Sequence, residues 1–161
     1  MRIVLDTNVL VSGLLNPYGP PGQIVVLVAA GEVSLCFDAR ILAEYREVLL
    51  RPKFDFHARH VEALLEQIRA AGASAAAAPL RDPLPDRDDE PFLEVAIAAP
   101  ADYLVTGNPR HYPAPLRGGV QVATPRKFIG NDSWIRNVFT PSIPVPRVNS
   151  ALPHFNVNRN G

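Results

Sequence analysis

Short apolar runs alternate with longer amphipathic stretches over the first 130 positions. Residues 2–6 (Arg-Ile-Val-Leu-Asp) are apolar up to a closing acid and read as a short buried strand. Gly19-Pro20-Pro21-Gly22 breaks the chain, and 23–30 then reads as a helix stopped by Gly31. Residues 33–37 form a second strand pattern, with Asp38 placed to cap the helix that follows. That helix, over 39–50, carries Ile41, Leu42, Tyr45, Val48 and Leu49 on one face, and Pro52 ends it. Val61, Leu64, Leu65 and Ile68 recur at helical spacing within 58–71, which Gly72 closes. The alanine-rich stretch 73–79 reads as a strand from its length and position, although alanine is a poor strand former. After an acidic loop over 81–91, residues 91–99 predict a helix with Pro91 in its first turn. A strand follows at 102–106, a short last one at 120–122, and a capped final turn at 124–128. Strands that alternate with helices in this way predict an α/β fold with a mainly parallel central sheet.

Composition adjusts this picture in a few places. The 161 residues suit one domain, expected over 1–130, because 131–161 are rich in Pro and Asn and lack periodicity. That last segment reads as an extended or disordered tail. Apolar residues at 47% and charged residues at 20% are those of a soluble globular protein. No run approaches the ~18 apolar residues of a membrane span, and Asp6 interrupts any signal-like start. A single cysteine, Cys36, excludes an internal disulfide and a cysteine-based zinc site, and its apolar neighbours make it a buried thiol. A cytoplasmic protein without a membrane partner is the expectation. Sixteen basic and sixteen acidic residues give zero net charge, which argues against a coating protein that binds nucleic acid by bulk attraction. A nuclease with its acids gathered in one pocket is not excluded.

In a parallel α/β sheet, ligands bind beyond the carboxyl ends of the strands. Asp6 ends the first strand and Asn108 lies just past the strand at 102–106. Asp86, Asp88 and Asp89 precede the helix that leads into that strand, and Glu44 lies about one turn into its own helix. Carboxylates from distant parts of the chain can thus converge on one edge. Such a cluster persists only with a cation or with raised pKa values. All-oxygen ligands suit Mg²⁺ or Mn²⁺, which activate water and stabilise charge on a phosphodiester. His57, His60, His111 and His154 lack ligand spacing and read as mostly solvent-facing. Plainer roles stand beside these: Asp6 as a cap, Glu44 on a solvated face with Arg46 and Glu47, and at least one acid of 86–89 serving only a helix N-terminus. Asp38 and Asp102 are assigned to capping and surface.

Ile3-Val4-Leu5-Asp6-Thr7-Asn8-Val9-Leu10-Val11-Ser12 resembles the opening strand and turn of PIN-domain proteins. Asp86-Arg87-Asp88-Asp89-Glu90-Pro91-Phe92-Leu93 resembles the later acidic motif of that family, and Ile41-Leu42-Ala43-Glu44-Tyr45 its helical glutamate. Ala101-Asp102-Tyr103-Leu104-Val105-Thr106-Gly107-Asn108 resembles the strand and turn bringing the last polar ligand, and Thr124-Pro125-Arg126-Lys127-Phe128 the domain's end. No motif is specific alone; their order over about 1–129 is.

The resemblance implies a three-layer α/β/α PIN-like fold and an Mg²⁺- or Mn²⁺-dependent endoribonuclease. Its catalytic, metal-binding acids would be Asp6, Glu44 and Asp89, with Asp86 or Asp88 in support. Thr7, Asn8 and Thr106, with Asp88, would shape the loops and hydrogen-bond ligands or water. Asn108 departs from the aspartate common at its position; its amide oxygen can still ligate, at the loss of one charge and of affinity for a second cation. VapC-like family members imply the toxin of a toxin–antitoxin pair, silenced by a cognate antitoxin whose tail enters the acidic groove. A homodimer is implied as well, with 23–30 and 58–71 as candidate surfaces. Arg40, Arg46, Arg51, Lys53, Arg110 and Arg126 are available to hold RNA phosphates.

Three alternatives stand beside this reading. A haloacid-dehalogenase-type phosphatase wants a second Asp at position 8, which is Asn. An RNA-processing or structure-specific nuclease without antitoxin would use the same site. A non-catalytic binding module is opposed by the presence of Asp6, Glu44 and Asp89.

Overall fold

Five strands, β1 (Arg2–Leu5), β2 (Ser34–Phe37), β3 (Ala73–Ser74), β4 (Tyr103–Val105) and β5 (Gln121–Ala123), pair in the order β3-β2-β1-β4-β5. A computed structural model of the chain describes residues 1–139, and all its strand pairs are parallel. Parallel neighbours need crossovers, and the intervening helices supply them, giving the parallel α/β sheet the pattern predicts and the three-layer α/β/α architecture the resemblance implies. β1 is central. Ile3 pairs with Leu35 on one side and Tyr103 on the other, and Ile3, Val4 and Leu5 are wholly buried. From β1 the chain moves outward to β2 and β3, then returns across the sheet to β4 and β5. The strand order therefore reverses between β1 and β4, the switch point beyond whose carboxyl ends ligands bind in sheets of this kind.

The helices follow from local chemistry, with corrections to the sequence reading. Helix α1 (Thr7–Leu15) stands where a turn was expected after the first strand. It lacks a polar stripe, and Val9, Val11 and Gly13 are weak helix formers; burial against the core and α2 holds it. α2 (Pro20–Ala29) starts before the expected 23, because Pro20 and Pro21 fit a first turn whose amides need no partner. α3 (Ala39–Leu49) begins at Asp38, whose carboxylate accepts the Arg40 and Ile41 amides at 2.9 and 3.1 Å. Its predicted face, Ile41, Leu42, Tyr45, Val48 and Leu49, is the buried one. α4 (Ala58–Ala71) buries Val61, Leu65 and Ile68, and α5 (Glu90–Ala98) buries Phe92, Leu93, Val95 and Ala96.

The strand expected over 73–79 shrinks to Ala73–Ser74, in keeping with alanine's weak β preference. The final turn extends to helix α6 (Pro125–Asn131), capped by the Thr124 hydroxyl. Residues 133–139, expected in an extended tail, form helix α7 (Ser133–Phe139), anchored by the fully buried Ile135. The rest of that tail, 140–161, lies outside the described residues. Cys36 is a buried free thiol as expected, its pKa raised chiefly by burial. Among the described residues no helix is long and apolar enough to cross a membrane.

Candidate active site

Backbone pairing carries Asp6 and Thr106 to the same edge. The Asp6 amide donates to Val105 O at 2.9 Å, and the Thr106 amide donates to Ala123 O at 3.0 Å, so each sits one residue past its strand. The Asp6 side chain caps α1, its Oδ1 accepting the Asn8 amide at 3.2 Å. Its Oδ2 accepts from the Thr106 hydroxyl at 2.7 Å, across 100 residues of sequence. The Asn108 amide in turn donates to Thr106 Oγ1 at 3.1 Å. Both side chains are buried, Asp6 at 8% and Thr106 at 0% exposure, so this hydroxyl fixes the orientation of the carboxylate.

Glu44 reaches the crevice from α3, where its neighbour Tyr45 is pinned underneath. The Tyr45 hydroxyl donates to Leu5 O at the end of β1. Glu44 Oε1 accepts from the Thr7 hydroxyl at 2.6 Å. Burial pushes Glu44 above the usual carboxylate range, and repulsion from Asp6, Asp88 and Asp89 adds to this; the Thr7 hydrogen bond pulls it down. Asp89 enters from the short helical turn before α5. Its pKa is also raised, first by burial and then by Asp6 and Asp86, against the His111 ring, whose Nδ1 lies 2.9 Å from Asp89 Oδ2. Asp6, Glu44 and Asp89 thus feel one another, and every charge that shifts Glu44 is another carboxylate.

The other predicted residues divide. Asp86 is exposed and caps the turn at 87–89, its Oδ1 accepting the Asp88 amide at 3.0 Å, which is the plain helix-start role foreseen for one acid of this run. Asp88 is exposed yet close enough to raise Glu44. Asn8 and Asn108 contribute backbone amides, and the exposed Asn108 side chain makes no hydrogen bond among the described residues. Asp102 accepts the Arg2 amide at 2.8 Å and ties β1 to β4. Of the basic candidates, Arg40 is bound by Asp38 and the buried Glu94, Arg46 by Glu62, and Arg51 by Glu47. Lys53 lies over the Phe54 ring. Among the described residues Arg110 and Arg126 form no ion pair.

Sequence reasoning missed His111 and Tyr112. His111 was read as mostly solvent-facing, yet it is half-buried against Asp89. Tyr112 is fully buried, and the charges that raise its hydroxyl, after burial itself, include Asp6, Asp89 and Glu44. The available signal was position: both follow within six residues of Thr106, on the same edge of the sheet.

A PIN domain family model matches residues 2–110 of the chain. An uncharacterized protein of Methanocaldococcus jannaschii is 30% identical over 111 residues, which cover 67% of this chain and 71% of that protein. The chain belongs to the PIN domain family. Its fold is a nuclease fold, and the class of activity that goes with it is phosphodiester hydrolysis.

Proposed function

We propose that the protein is a divalent-metal-dependent ribonuclease with Asp6, Glu44 and Asp89 as its catalytic acids, acting in the cytoplasm as the toxin of a toxin–antitoxin pair. One observation carries the reading: three carboxylates, from the end of β1, from α3 and from the start of α5, lie in one another's field at the sheet's switch point, their repulsion offset by the Thr7 and Thr106 hydroxyls and, at Asp89, by the His111 ring.

The donor set fits Mg²⁺ or Mn²⁺, being hard carboxylate oxygens already in one another's field. Among the described residues no three acid, histidine or cysteine side chains close into a ready-made cage; the Thr7 and Thr106 hydroxyls hold two of the acids instead. Asp6, Glu44 and Asp89 would hold the cation, with Asp88, Asp86 or Asn108 in support. When bound, it supplies charge for the phosphodiester oxygens and lowers the pKa of water. The chain's own residues orient and position: Thr106 aims Asp6, Thr7 aims Glu44, and the exposed Arg110 stands ready for a phosphate.

RNA as substrate, an antitoxin as partner and a homodimer rest on the motif resemblance. For the dimer, Leu15, Tyr18 and Val26 add exposed apolar surface at and around α2. Purified protein should cut a mixed RNA substrate with Mg²⁺ or Mn²⁺, stop with chelator, and lose activity as Asp6→Asn or Asp89→Asn. Equal cutting by those variants would sink the acid mechanism. Induced expression should arrest growth in the wild type and not in Asp89→Asn; cleavage without arrest would indicate RNA processing instead. Sedimentation of wild type against Val26→Asp reads the dimer, which is refuted by a monomeric wild type.

A further inference from the structure

The acid crevice contains a hydroxyl that the fold does not use. Tyr112 is fully buried, and its oxygen has no hydrogen-bond partner among the described residues. Its position is firmly set: its amide donates to Pro109 O at 3.1 Å, and its carbonyl accepts from Arg117 Nε at 2.7 Å. Tyr45, the other buried tyrosine beside these carboxylates, is satisfied by the Leu5 carbonyl. Phenylalanine would fill the Tyr112 site without leaving a polar atom unpaired, and an unbonded buried hydroxyl is costly. A second buried atom nearby is poorly served. Asp89 Oδ2 has only the His111 ring beside it, a hydrogen bond just when that nitrogen carries a proton. An unpaired donor and an under-served acceptor in one polar crevice are the usual signature of a bound water.

We propose that Tyr112 is a positioning residue: its hydroxyl donates a hydrogen bond to a water held against Asp89, and that water is one of the oxygen ligands of the cation bound by the three acids. The inference rests on the metal-dependent reading above and deepens it. Divalent cations of this kind keep several waters when few carboxylates bind them, and a protein donor to such a water fixes its place. The neutral hydroxyl can donate without adding charge to a crowded anionic site.

The test uses the full chain as wild type, Tyr112→Phe and Asp89→Asn. Each is melted in chelator, titrated with Mn²⁺ by the loss of the free-ion paramagnetic resonance signal, and assayed for RNA cleavage. Tyr112→Phe is expected to melt no lower than wild type in chelator, because the lost hydroxyl has no protein partner among the described residues. Its Mn²⁺ affinity should fall about tenfold, and kcat should fall with little change in KM. Wild-type Mn²⁺ affinity in Tyr112→Phe, beside weakened binding in Asp89→Asn, would overturn this role and leave the metal site standing. A Tyr112→Phe protein that melts clearly lower in chelator, or fails to fold, would overturn it too, since the hydroxyl would then serve the fold. Absence of Mn²⁺ binding by wild type would remove both readings together.

Discussion

The pairing of Thr106 with Asp6 shows how one hydroxyl conditions the whole crevice. A carboxylate at 8% exposure loses most of its water, and a short hydrogen bond from a fully buried threonine replaces part of it. Thr106→Val keeps the shape and β preference of the side chain while deleting the donor. Its cost should be about 1–3 kcal/mol, read by urea unfolding at neutral pH. Nuclease activity should drop with it, because only the Asn8 amide then holds the Asp6 carboxylate in place. Unchanged stability would mean that water replaces the hydroxyl without loss. The same scale explains what was legible in the sequence. Asp6, Glu44 and Asp89 stand after a strand, on an amphipathic helix and before a helix, positions from which topology lets them converge on one edge, while the choice of Glu44 over its neighbours and of Asp89 within 86–89 came from the motif resemblance. His111 and Tyr112 lie in and just after a short helical turn at Pro109–His111, which has no periodicity to read.

Among the elements, α1 and α2 show packing overriding propensity. Gly13 faces α2 so closely that a Cβ there would sit 2.6 Å from Pro21 O and 2.7 Å from Val25 Cγ2. Alanine is the better helix former by about 1 kcal/mol, but overlap with a backbone oxygen costs roughly 1–3 kcal/mol or more. Gly13→Ala should therefore destabilise, by about 1–2 kcal/mol in denaturant unfolding; a stabilised variant would show that the two helices part freely. That contact is also why α1 was illegible. With Val9, Leu10 and Val11 all buried, it has no alternation of apolar and polar sides to mark it as a helix. α3 and α4 carry such stripes, and the reading matched them to within a residue. α7 escaped because only Ile135 within it is fully buried, amid a Pro- and Asn-rich composition.

For the whole molecule, zero net charge conceals an uneven distribution in which acids are concentrated at one crevice. The raised pKa values of Glu44 and Asp89 make this a statement about stability. An acid raised by folding holds a proton in the folded state that the unfolded chain has already released. Its contribution is therefore present at low pH and is lost as pH rises from the ordinary carboxylate range through the raised native value. In chelator, the melting temperature of wild type relative to a Glu44→Gln/Asp89→Asn double variant should fall as pH rises above the ordinary carboxylate range, from about pH 4 upward. With Mn²⁺ the relative trend should reverse, because the acids must be ionised to hold the cation. Parallel profiles in chelator would show that the two acids are not strained by their neighbours.

The centrality of β1 bears on how the chain is made. Within this domain β1 is made well before its second neighbour: it can pair on that side only when β4 follows about a hundred residues later, and the Asp6–Thr106 bond waits for the same event. Until then an apolar strand has an open edge, a condition that favours chaperone engagement over independent folding. A half-synthesised or prematurely terminated copy carries Asp6 and Glu44 but no assembled crevice. For a nuclease, that ordering delays competence until nearly all of the domain exists.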